Sequence, residues 1–413
     1  MANMKKTEID LIPVLLGGDL NSYNVARAFH EEYGVASHVF GRYPIGPTQN
    51  SKIIEFHTVP NLDTPQILVE ELTNFAEKQE EGASLVLLGC TDDYATLIIK
   101  NKEKLEPYYI CPYMDAPLMD ELVSKAVFYK MCDKYGIDYP KTKILDGVVS
   151  EDELSEDALG FKYPLIVKPS SSIAYWKHPF DGMKKVYTAE NKEEAASIIK
   201  QIYASGYDDQ MIVQDMIPGD DSNMNVLTAY SDKDCHVRMM CLGHVLLEEH
   251  TPKGLGNHAA IITEYNPELT KKFKAMLEDI GYRGFSNFDI KFDPRDNSLR
   301  AFEINLRQGR SNFYITAAGI NIAHLIVEDY ILCRELEYAE CRERHLWRVI
   351  PKRVIFKYVH DEKSKKDARE LIRAKKSTCS LLYPYDLKLN PKRLFWVLAN
   401  LYRQNGKYKK YCK

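Results

Sequence analysis

A chain of 413 residues exceeds the size at which one hydrophobic core stops growing, so two or three domains are expected. The net charge of −4 gives no basis for bulk nucleic-acid binding, and the apolar and charged fractions are ordinary for a globular protein. The nine cysteines are odd in number and form no C-x-x-C pair, which is typical of reduced thiols rather than of disulfides or a zinc site. Because no apolar run is long enough for a signal peptide or a membrane span, we expect a cytoplasmic protein.

The first 117 residues predict an open α/β domain. The run IPVLLGG, which starts at Ile12, predicts a buried strand that enters a glycine turn, and residues 21–33 show helical spacing. A second strand (36–40), a helix (65–79) and a strongly apolar strand (84–89) continue the alternation. We expect this domain to lie on the substrate side of the protein.

Residues 118–330 predict an α+β body, and residues 331–413 form a C-terminal extension. A helix over 118–135 carries Lys125, and a second helix over 317–336 closes the body. Between them the patterns predict helices at 192–205 and 267–280, and strands at 163–170, 184–189, 211–217, 236–243, 285–293 and 299–307. We expect residues 163–220 to form a lid subdomain.

The last two of these strands form a hairpin that carries the strongest chemical signal. Strand alternation places Asp289 on one face of the first strand, and Glu303, Asn305 and Arg307 together on one face of the second. Oxygen ligands from Asp289, Glu303 and Asn305 suit Mg²⁺. The alternative is a solvated outer face with cross-strand ion pairs.

The hairpin and the segments before it resemble the ATP-grasp enzymes, whose pattern is an acid on one strand and E-x-N on the next. Here the second element is EINLR, which ends on Arg307. The matching upstream pieces occur in the family's order over roughly residues 118–316: Lys125, Lys168 in LIVKPS, a serine-rich loop, and VQDMIPGDD from Val213. The resemblance implies an ATP-grasp fold with an N-terminal open α/β domain.

The resemblance also implies the role of each residue. Two lysines hold the ATP phosphates, a serine loop covers them, a hinge strand binds adenine through backbone groups, and an acid takes the ribose. The family more often has Glu where this chain has Gln214. The implied cofactors are ATP and Mg²⁺, as two ions, with Mn²⁺ as an alternative. The residues are, for the phosphates, Lys125 and Lys168; for the serine loop, Ser170, Ser171 and Ser172; for adenine, Gln214, Asp215, Met216 and Ile217; for the ribose, Asp221; and for the metal, Asp289, Glu303 and Asn305.

Longer phrases resemble the bacterial D-aspartate ligases from about residue 12 to residue 330, among them IPVLLGGDLNSYNVARAFHEEYG, IPGDDSNMNVL and FEINLRQGRS. That family attaches the β-carboxylate of D-aspartate to the lysine side chain of the peptidoglycan stem peptide. The resemblance implies an ADP-forming carboxylate–amine ligase that acts on an amino acid and a UDP-linked muramyl peptide. Two alternatives stay open: a ligase for another amino acid or metabolite acceptor, and an ATP-binding module without turnover.

An anionic amino acid needs cationic side chains to bind it, and three arginines are candidates for this role. We expect Arg238, Arg307 and Arg310 to clamp carboxylate and phosphate groups, and Arg307, Arg310 and Lys168 to support catalysis. The alternative for Arg238 is a structural ion pair. Three further residues are expected at the substrate site: His258 from a glycine-rich segment, and Gly18 and Asp92 at strand ends.

The C-terminal tail, RLFWVLANLYRQNGKYKKYCK, combines an apolar face with many cations. The favoured interpretation is a docked helix with a solvated charged side, and the alternative is weak contact with an anionic membrane surface. The oligomeric state leaves no signal in the sequence.

Overall fold

The computed structural model describes residues 9–252 and 254–412, without the side chains of Ser172 and Ile173. The chain divides into two compact units. Of the described residues, the larger unit contains those up to Met119, those of Asp220–Asp289 and those from Asn305 onward. The smaller unit contains Asp120–Gly219 and Ile290–Ile304.

The strands and helices follow in chain order. The strands are β1 (Leu11–Leu16), β2 (Ser37–Gly41), β3 (Ile54–Thr58), β4 (Ser84–Gly89), β5 (Thr142–Leu145), β6 (Leu165–Pro169), β7 (Tyr187–Ala189), β8 (Met211–Asp215), β9 (Met224–Ser231), β10 (Val237–Glu248), β11 (His258–Glu264), β12 (Gly284–Asp293), β13 (Ser298–Asn305), β14 (Ala339–Glu340), β15 (Leu346–Arg348) and β16 (Ser377–Cys379). The α-helices are α1 (Leu20–Tyr33), α2 (Pro65–Ala76), α3 (Asp92–Lys100), α4 (Lys102–Leu105), α5 (Ala116–Val123), α6 (Lys125–Tyr135), α7 (Glu156–Leu159), α8 (Ser172–Tyr175), α9 (Lys192–Ala204), α10 (Pro267–Asp279), α11 (Phe313–Ala317), α12 (Ile322–Ile326), α13 (Lys352–Tyr358), α14 (Glu362–Arg373), α15 (Pro384–Leu387) and α16 (Pro391–Tyr411).

A parallel sheet in the order β3-β2-β1-β4 forms the N-terminal part of the larger unit. Buried strand β1 enters the turn at Gly17 and Gly18, where Asp19 caps α1 by accepting a hydrogen bond from the Asn21 amide. The helix ends at Gly34, which has a φ of 72°, a conformation that glycine adopts without strain. This β-turn-α unit confirms the prediction for residues 12–33 and places the turn at the carboxyl edge of the sheet.

An eight-stranded sheet contains the path β13-β12-β9-β10-β11-β15-β16, with β14 paired to β10. Its long central strand β10 is buried along most of its length and pairs antiparallel with both β9 and β11. The hairpin β12–β13 confirms the prediction for residues 285–307, and Phe288 and Ile290 are fully buried, as alternation predicts. The hairpin therefore has buried apolar positions between its polar ones.

The smaller unit is built on an antiparallel sheet in the order β5-β8-β6-β7. Helix α9 packs its buried positions Ala195, Ile199 and Ile202 into a core shared with β6 and β8. Tyr175, from the segment after β6, is also fully buried in this core. The sheet fixes the ends of β6 and β8, where the predicted nucleotide residues lie.

Two predicted helices are wrong in extent. The helix predicted over 118–135 is two helices, because Ser124 has an extended backbone (φ −76°, ψ 115°) that places Lys125 at the first position of α6. The helix predicted over 317–336 is interrupted after α11, where Gly319 adopts a φ of 109°. Helical spacing continues through both breaks, so periodicity alone did not show them.

The C-terminal extension belongs to the larger unit. Asp386 and Arg393 form a fully buried ion pair of 2.9 Å. The Tyr23 hydroxyl of α1 donates to the same carboxylate at 3.0 Å, and the Arg393 guanidinium lies 4.6 Å from the centre of the Tyr23 ring. This cluster ties α16 to α1. No helix in the described part of the chain has the length and apolar character needed to span a membrane.

Candidate active site

A group of lysines around one carboxylate forms the predicted phosphate end of the smaller unit. Lys125 Nζ lies 3.4 Å from Glu303 Oε2, and Lys168 on β6 is buried beside Gln214, whose Oε1 accepts from Lys168 Nζ at 3.1 Å. Burial lowers the pKa of Lys168 to about 8, although Glu303 opposes that shift. The structure thus brings together two predicted lysines and one predicted metal ligand.

Glu303 is held ionised by this group. Its partial burial works to raise its pKa, but the charges of Lys125, Lys185 and Lys168 outweigh burial and lower the pKa to about 2. Three lysines thus surround one carboxylate, and the local excess of positive charge suits a polyphosphate. Lys185 was not singled out from the sequence, although the pair of lysines before β7 was the available signal.

Gln214 on β8 does not have a free side chain. Besides accepting from Lys168, its Nε2 donates to the Tyr129 hydroxyl at 2.9 Å and to Thr142 Oγ1 at 2.7 Å. The family's usual Glu at this position would place a second carboxylate beside Lys168. Gln214 instead orients Lys168 by accepting its hydrogen bond with a neutral side chain. Tyr129, which also contacts Gln214, was not predicted because a tyrosine within a helix carries no functional signal.

Asp215 and Ile217, which continue the predicted hinge segment, also have partners within the smaller unit. Asp215 forms a two-bond contact with Arg295, with oxygen–nitrogen distances of 2.5 and 3.1 Å. The carbonyl of Ile217 accepts a hydrogen bond from Lys291 Nζ at 2.9 Å. Met216 is the first residue after strand β8. Recognition of adenine by the backbone of residues 214–217 stays a prediction.

The serine loop after β6 is partly helical. Buried Ser170 donates its amide to the Gln210 carbonyl, and the Ser171 hydroxyl caps the short helix α8 by accepting from the Ala174 amide at 3.2 Å. Ser172 begins α8, but its side chain lies outside the described residues. The predicted flap is therefore anchored at this end by the buried Tyr175.

In the larger unit, the polar face of the hairpin joins Asp289, Asn305 and Arg307. Asn305 Nδ2 lies 3.3 Å from Asp289 Oδ2. Arg307 contacts Asp92 with both nitrogens of its fork, with Nε at 2.8 Å from Oδ1 and Nη2 at 2.9 Å from Oδ2. Burial lowers the pKa of Arg307, but Asp92 more than compensates and holds the guanidinium charged. Mg²⁺ prefers hard oxygen donors, such as carboxylate and amide oxygens. Asp289 and Asn305 supply such oxygens and therefore fit the predicted metal.

Arg310 lies between two acids of the same unit. Its Nε is 3.3 Å from Asp19 Oδ2, and its Nη1 is 3.1 Å from Glu249 Oε1. Gly18 directly precedes Asp19, and its carbonyl accepts from the Thr48 hydroxyl at 2.9 Å. Together Asp19, Asp92 and Glu249 supply negative charge around two arginines. Glu249 was missed because it directly follows strand β10 in a segment without any motif.

Asp221 and His258 are both located on the β10–β11 side of the larger unit. Asp221 accepts from the Glu248 amide at 2.9 Å and lies 2.7 Å from His250 Nε2. His258 was predicted in a loop, but it begins strand β11 and is buried. Burial, aided by Arg310, lowers the pKa of His258 to about 4, so the ring is neutral at physiological pH. Contact between His258 and substrate stays a prediction.

Arg238 is placed apart from the other predicted arginines. Its Nε donates to Asp232 Oδ2 at 2.5 Å, which is the ion pair that the alternative interpretation expected. Arg238 is the second residue of β10, whereas Glu248 is the last, and ten residues of strand span about 30 Å. We therefore leave Arg238 out of the candidate site.

A separate polar cluster lies on β2 and β3. His38 Nδ1 and His57 Nε2 are 2.9 Å apart, and Glu55 lies 3.7 Å from the first ring. Burial lowers the pKa of both histidines, and the rings pack against Phe75. A hydrogen bond between neutral imidazoles accounts for this contact, and none of the predicted metal ligands belongs to the cluster.

Comparison with known proteins gives one strong sequence relative. The chain is 39% identical over 411 residues to a protein named D-aspartate ligase from Enterococcus faecium (strain Aus0004), covering 97% of each chain. No protein-family model matches the chain.

Solved structures share the fold at low identity. N5-carboxyaminoimidazole synthetase from Staphylococcus aureus, complexed with ADP, has a TM-score of 0.58 at 13% identity, covering 84% of this chain and 85% of the other. The L-amino acid ligase from Bacillus licheniformis has a TM-score of 0.53 at 14% identity, covering 78% and 74% of the two chains. At these identities the likeness shows the fold alone.

Proposed function

Since the chain belongs to the D-aspartate ligase family, whose members are ATP-dependent ligases of the ATP-grasp fold, we propose that it joins D-aspartate to a peptidoglycan precursor. The proposed bond links the β-carboxylate of D-aspartate to the lysine side-chain amine of a UDP-linked muramyl peptide. The observation that carries the proposal is the 39% identity that extends over 97% of both chains. Such a span includes the positions of the proposed substrate residues as well as those of the proposed nucleotide residues.

The lysine group supports the use of ATP. Lys125, Lys168 and Lys185 surround a single carboxylate, so a polyphosphate finds a local excess of positive charge. Lys168 is fixed by Gln214 and so loses little freedom when it contacts phosphate. In the proposed reaction these lysines bind the phosphates and reduce charge repulsion against the attacking carboxylate.

The metal is proposed from the donor chemistry. Asp289 and Asn305, with Glu303 two residues before Asn305 on the same strand, are the proposed Mg²⁺ ligands. When bound, Mg²⁺ neutralises charge on phosphate oxygens. We propose two ions, in keeping with the resemblance.

Arg307 and Arg310 support an amino acid with two carboxylates and one ammonium group. Each guanidinium lies beside acids in the structure, Arg307 beside Asp92 and Arg310 beside Asp19 and Glu249. A site with both signs of charge can pair with every charged group of aspartate. D-alanine lacks one carboxylate and would leave a cation without its partner.

The proposed chemistry has two steps. The β-carboxylate oxygen attacks the γ-phosphorus of ATP and ADP leaves, which gives an acyl phosphate. The lysine amine then attacks the acyl carbon, inorganic phosphate leaves, and Arg307 stabilises the oxyanion of the tetrahedral intermediate. No protein nucleophile is needed.

The test is an assay of ADP release and product mass with different amino acids at matched concentrations. With the UDP-linked muramyl peptide present, D-aspartate should give the fastest ADP release and a product containing one added aspartyl residue. L-aspartate and D-alanine should give little. A neutral amino acid as the best substrate would contradict the D-aspartate assignment and leave the ligase assignment intact.

A further inference from the structure

The last helix, α16, has an outward face that the proposed reaction does not use. Its inward face buries Val397 and Tyr408. On the outward face Phe395 is 76% exposed, Leu398 53% and Tyr402 73%. These three residues follow spacings of three and four, so they lie in one row along the helix. A row of large apolar side chains in water marks an interaction surface rather than a solvated helix face.

The same region carries charge of one sign. Helix α13 contains three Lys or Arg residues and α16 contains six, and neither helix contains Asp or Glu. Arg353 of α13 lies 5.9 Å from the centre of the Tyr402 ring, and Lys392 and Arg403 are exposed on α16. Because the whole protein has a net charge of −4, this concentration of cations is a local feature.

We propose that the α16 surface, formed by Phe395, Leu398 and Tyr402 with the cations Arg353, Lys392 and Arg403, binds the surface of an anionic lipid bilayer. The apolar row would enter the boundary between headgroups and acyl chains, and the flanking cations would contact lipid phosphates. A helix of this kind lies in the plane of the interface and does not cross it. This proposal does not rest on the proposed ligase reaction.

Charge complementarity favours a bilayer over a second copy of the chain. Two copies that met through this surface would bring two sets of cations together, and the described residues of α13 and α16 include no carboxylate to pair with them. Like charges opposed across an interface disfavour association. An anionic bilayer satisfies both the apolar row and the cations.

The test is flotation of the full chain with phosphatidylglycerol–phosphatidylcholine vesicles, compared with pure phosphatidylcholine vesicles. We expect binding to the anionic vesicles only, and weaker binding at high salt. The variant Phe395→Ser/Leu398→Ser should lower the partition coefficient roughly tenfold or more. The variant Lys392→Glu/Arg403→Glu should lower it by at least roughly 25-fold, since each lost cation contributes about fivefold and each new carboxylate is repelled by the anionic surface.

Matched controls change the same chemistry elsewhere. Val148→Ser removes an exposed apolar side chain, and Lys104→Glu/Lys200→Glu reverses two exposed cations, so both should bind vesicles like the unmodified chain. Circular dichroism checks that all variants are folded. Absence of vesicle binding, or equal loss in the controls, overturns the proposal. A dimer that the Phe395 and Leu398 changes dissociate, without vesicle binding, identifies a second copy as the occupant and also overturns it.

Discussion

Replacing Glu303 with glutamine should have opposite effects on ATP binding with and without metal. In the structure Glu303 holds Lys125 at 3.4 Å, so a phosphate must compete with this carboxylate for the lysine. The pKa of Glu303 falls from 4.5 to about 2 under the lysine charges, a difference that corresponds to about 3 kcal/mol. Because the side chain is 28% exposed, solvent screening reduces this to about 1–2 kcal/mol.

The expected result follows from that energy. With EDTA present, Glu303→Gln should bind ATP roughly five to thirty times more tightly than the unmodified chain, since about 1–2 kcal/mol of competition is removed. With Mg²⁺ present, the variant should bind ATP more weakly and lose turnover, because a metal ligand has been removed.

Calorimetric titration of ATP in both conditions measures these two changes. Glu193→Gln, which removes an exposed carboxylate from α9 of the same unit, is the control and should change neither affinity. If Glu303→Gln shifts both affinities in the same direction, the carboxylate does not alternate between lysine and metal, and the argument is wrong.

Three further predictions address other parts of the structure. Arg307→Ala should lower the rate of ADP release by about 2–4 kcal/mol of barrier and change the dissociation constant of ATP little, with exposed Arg334→Ala as the control; an equal loss of ATP binding would make Arg307 a phosphate clamp instead. Since burial lowers the pKa of Lys168 to about 8, ATP affinity should fall as pH rises through that value, and Lys168→Arg, which stays charged, should flatten the profile. Asp386→Ala leaves buried Arg393 without its carboxylate and should lower the free energy of unfolding in urea by about 3–5 kcal/mol, whereas exposed Asp208→Ala should change it little.

Long, strongly periodic segments were predictable from the sequence. Strand β4 was predicted residue for residue, α1 within one residue, and the β12–β13 hairpin within two residues at each end. Strand β9 was not predicted, because the polar Asn225 and Thr228 interrupt its apolar residues. The buried Thr228 hydroxyl is satisfied by Asn287 from a distant segment. Such tertiary partners override local pattern.

The candidate site was predictable where residue type alone carries chemistry. The lysine residues and the E-x-N motif are charged or ligating groups in a fixed order, and the structure brings Lys125, Lys168 and Glu303 together. Arg238 was misplaced because strand alternation specifies a face but not a position along the strand. Glu249 depends on chain folding for its proximity to Arg310, so nothing local to its sequence indicated it, whereas the pair of lysines before β7 was a local signal for Lys185.

The cluster around Asp386 has a consequence for the order in which the chain folds during synthesis. Tyr23 reaches its hydrogen-bond partner Asp386 across 363 residues, so this contact cannot form while the ribosome is still translating the middle of the chain. At translation rates of about 5–20 residues per second, the helix that carries Tyr23 waits for roughly 20–70 s. The contact between α1 and the C-terminal extension is therefore completed only after α15, which carries Asp386, and Arg393 of α16 have emerged.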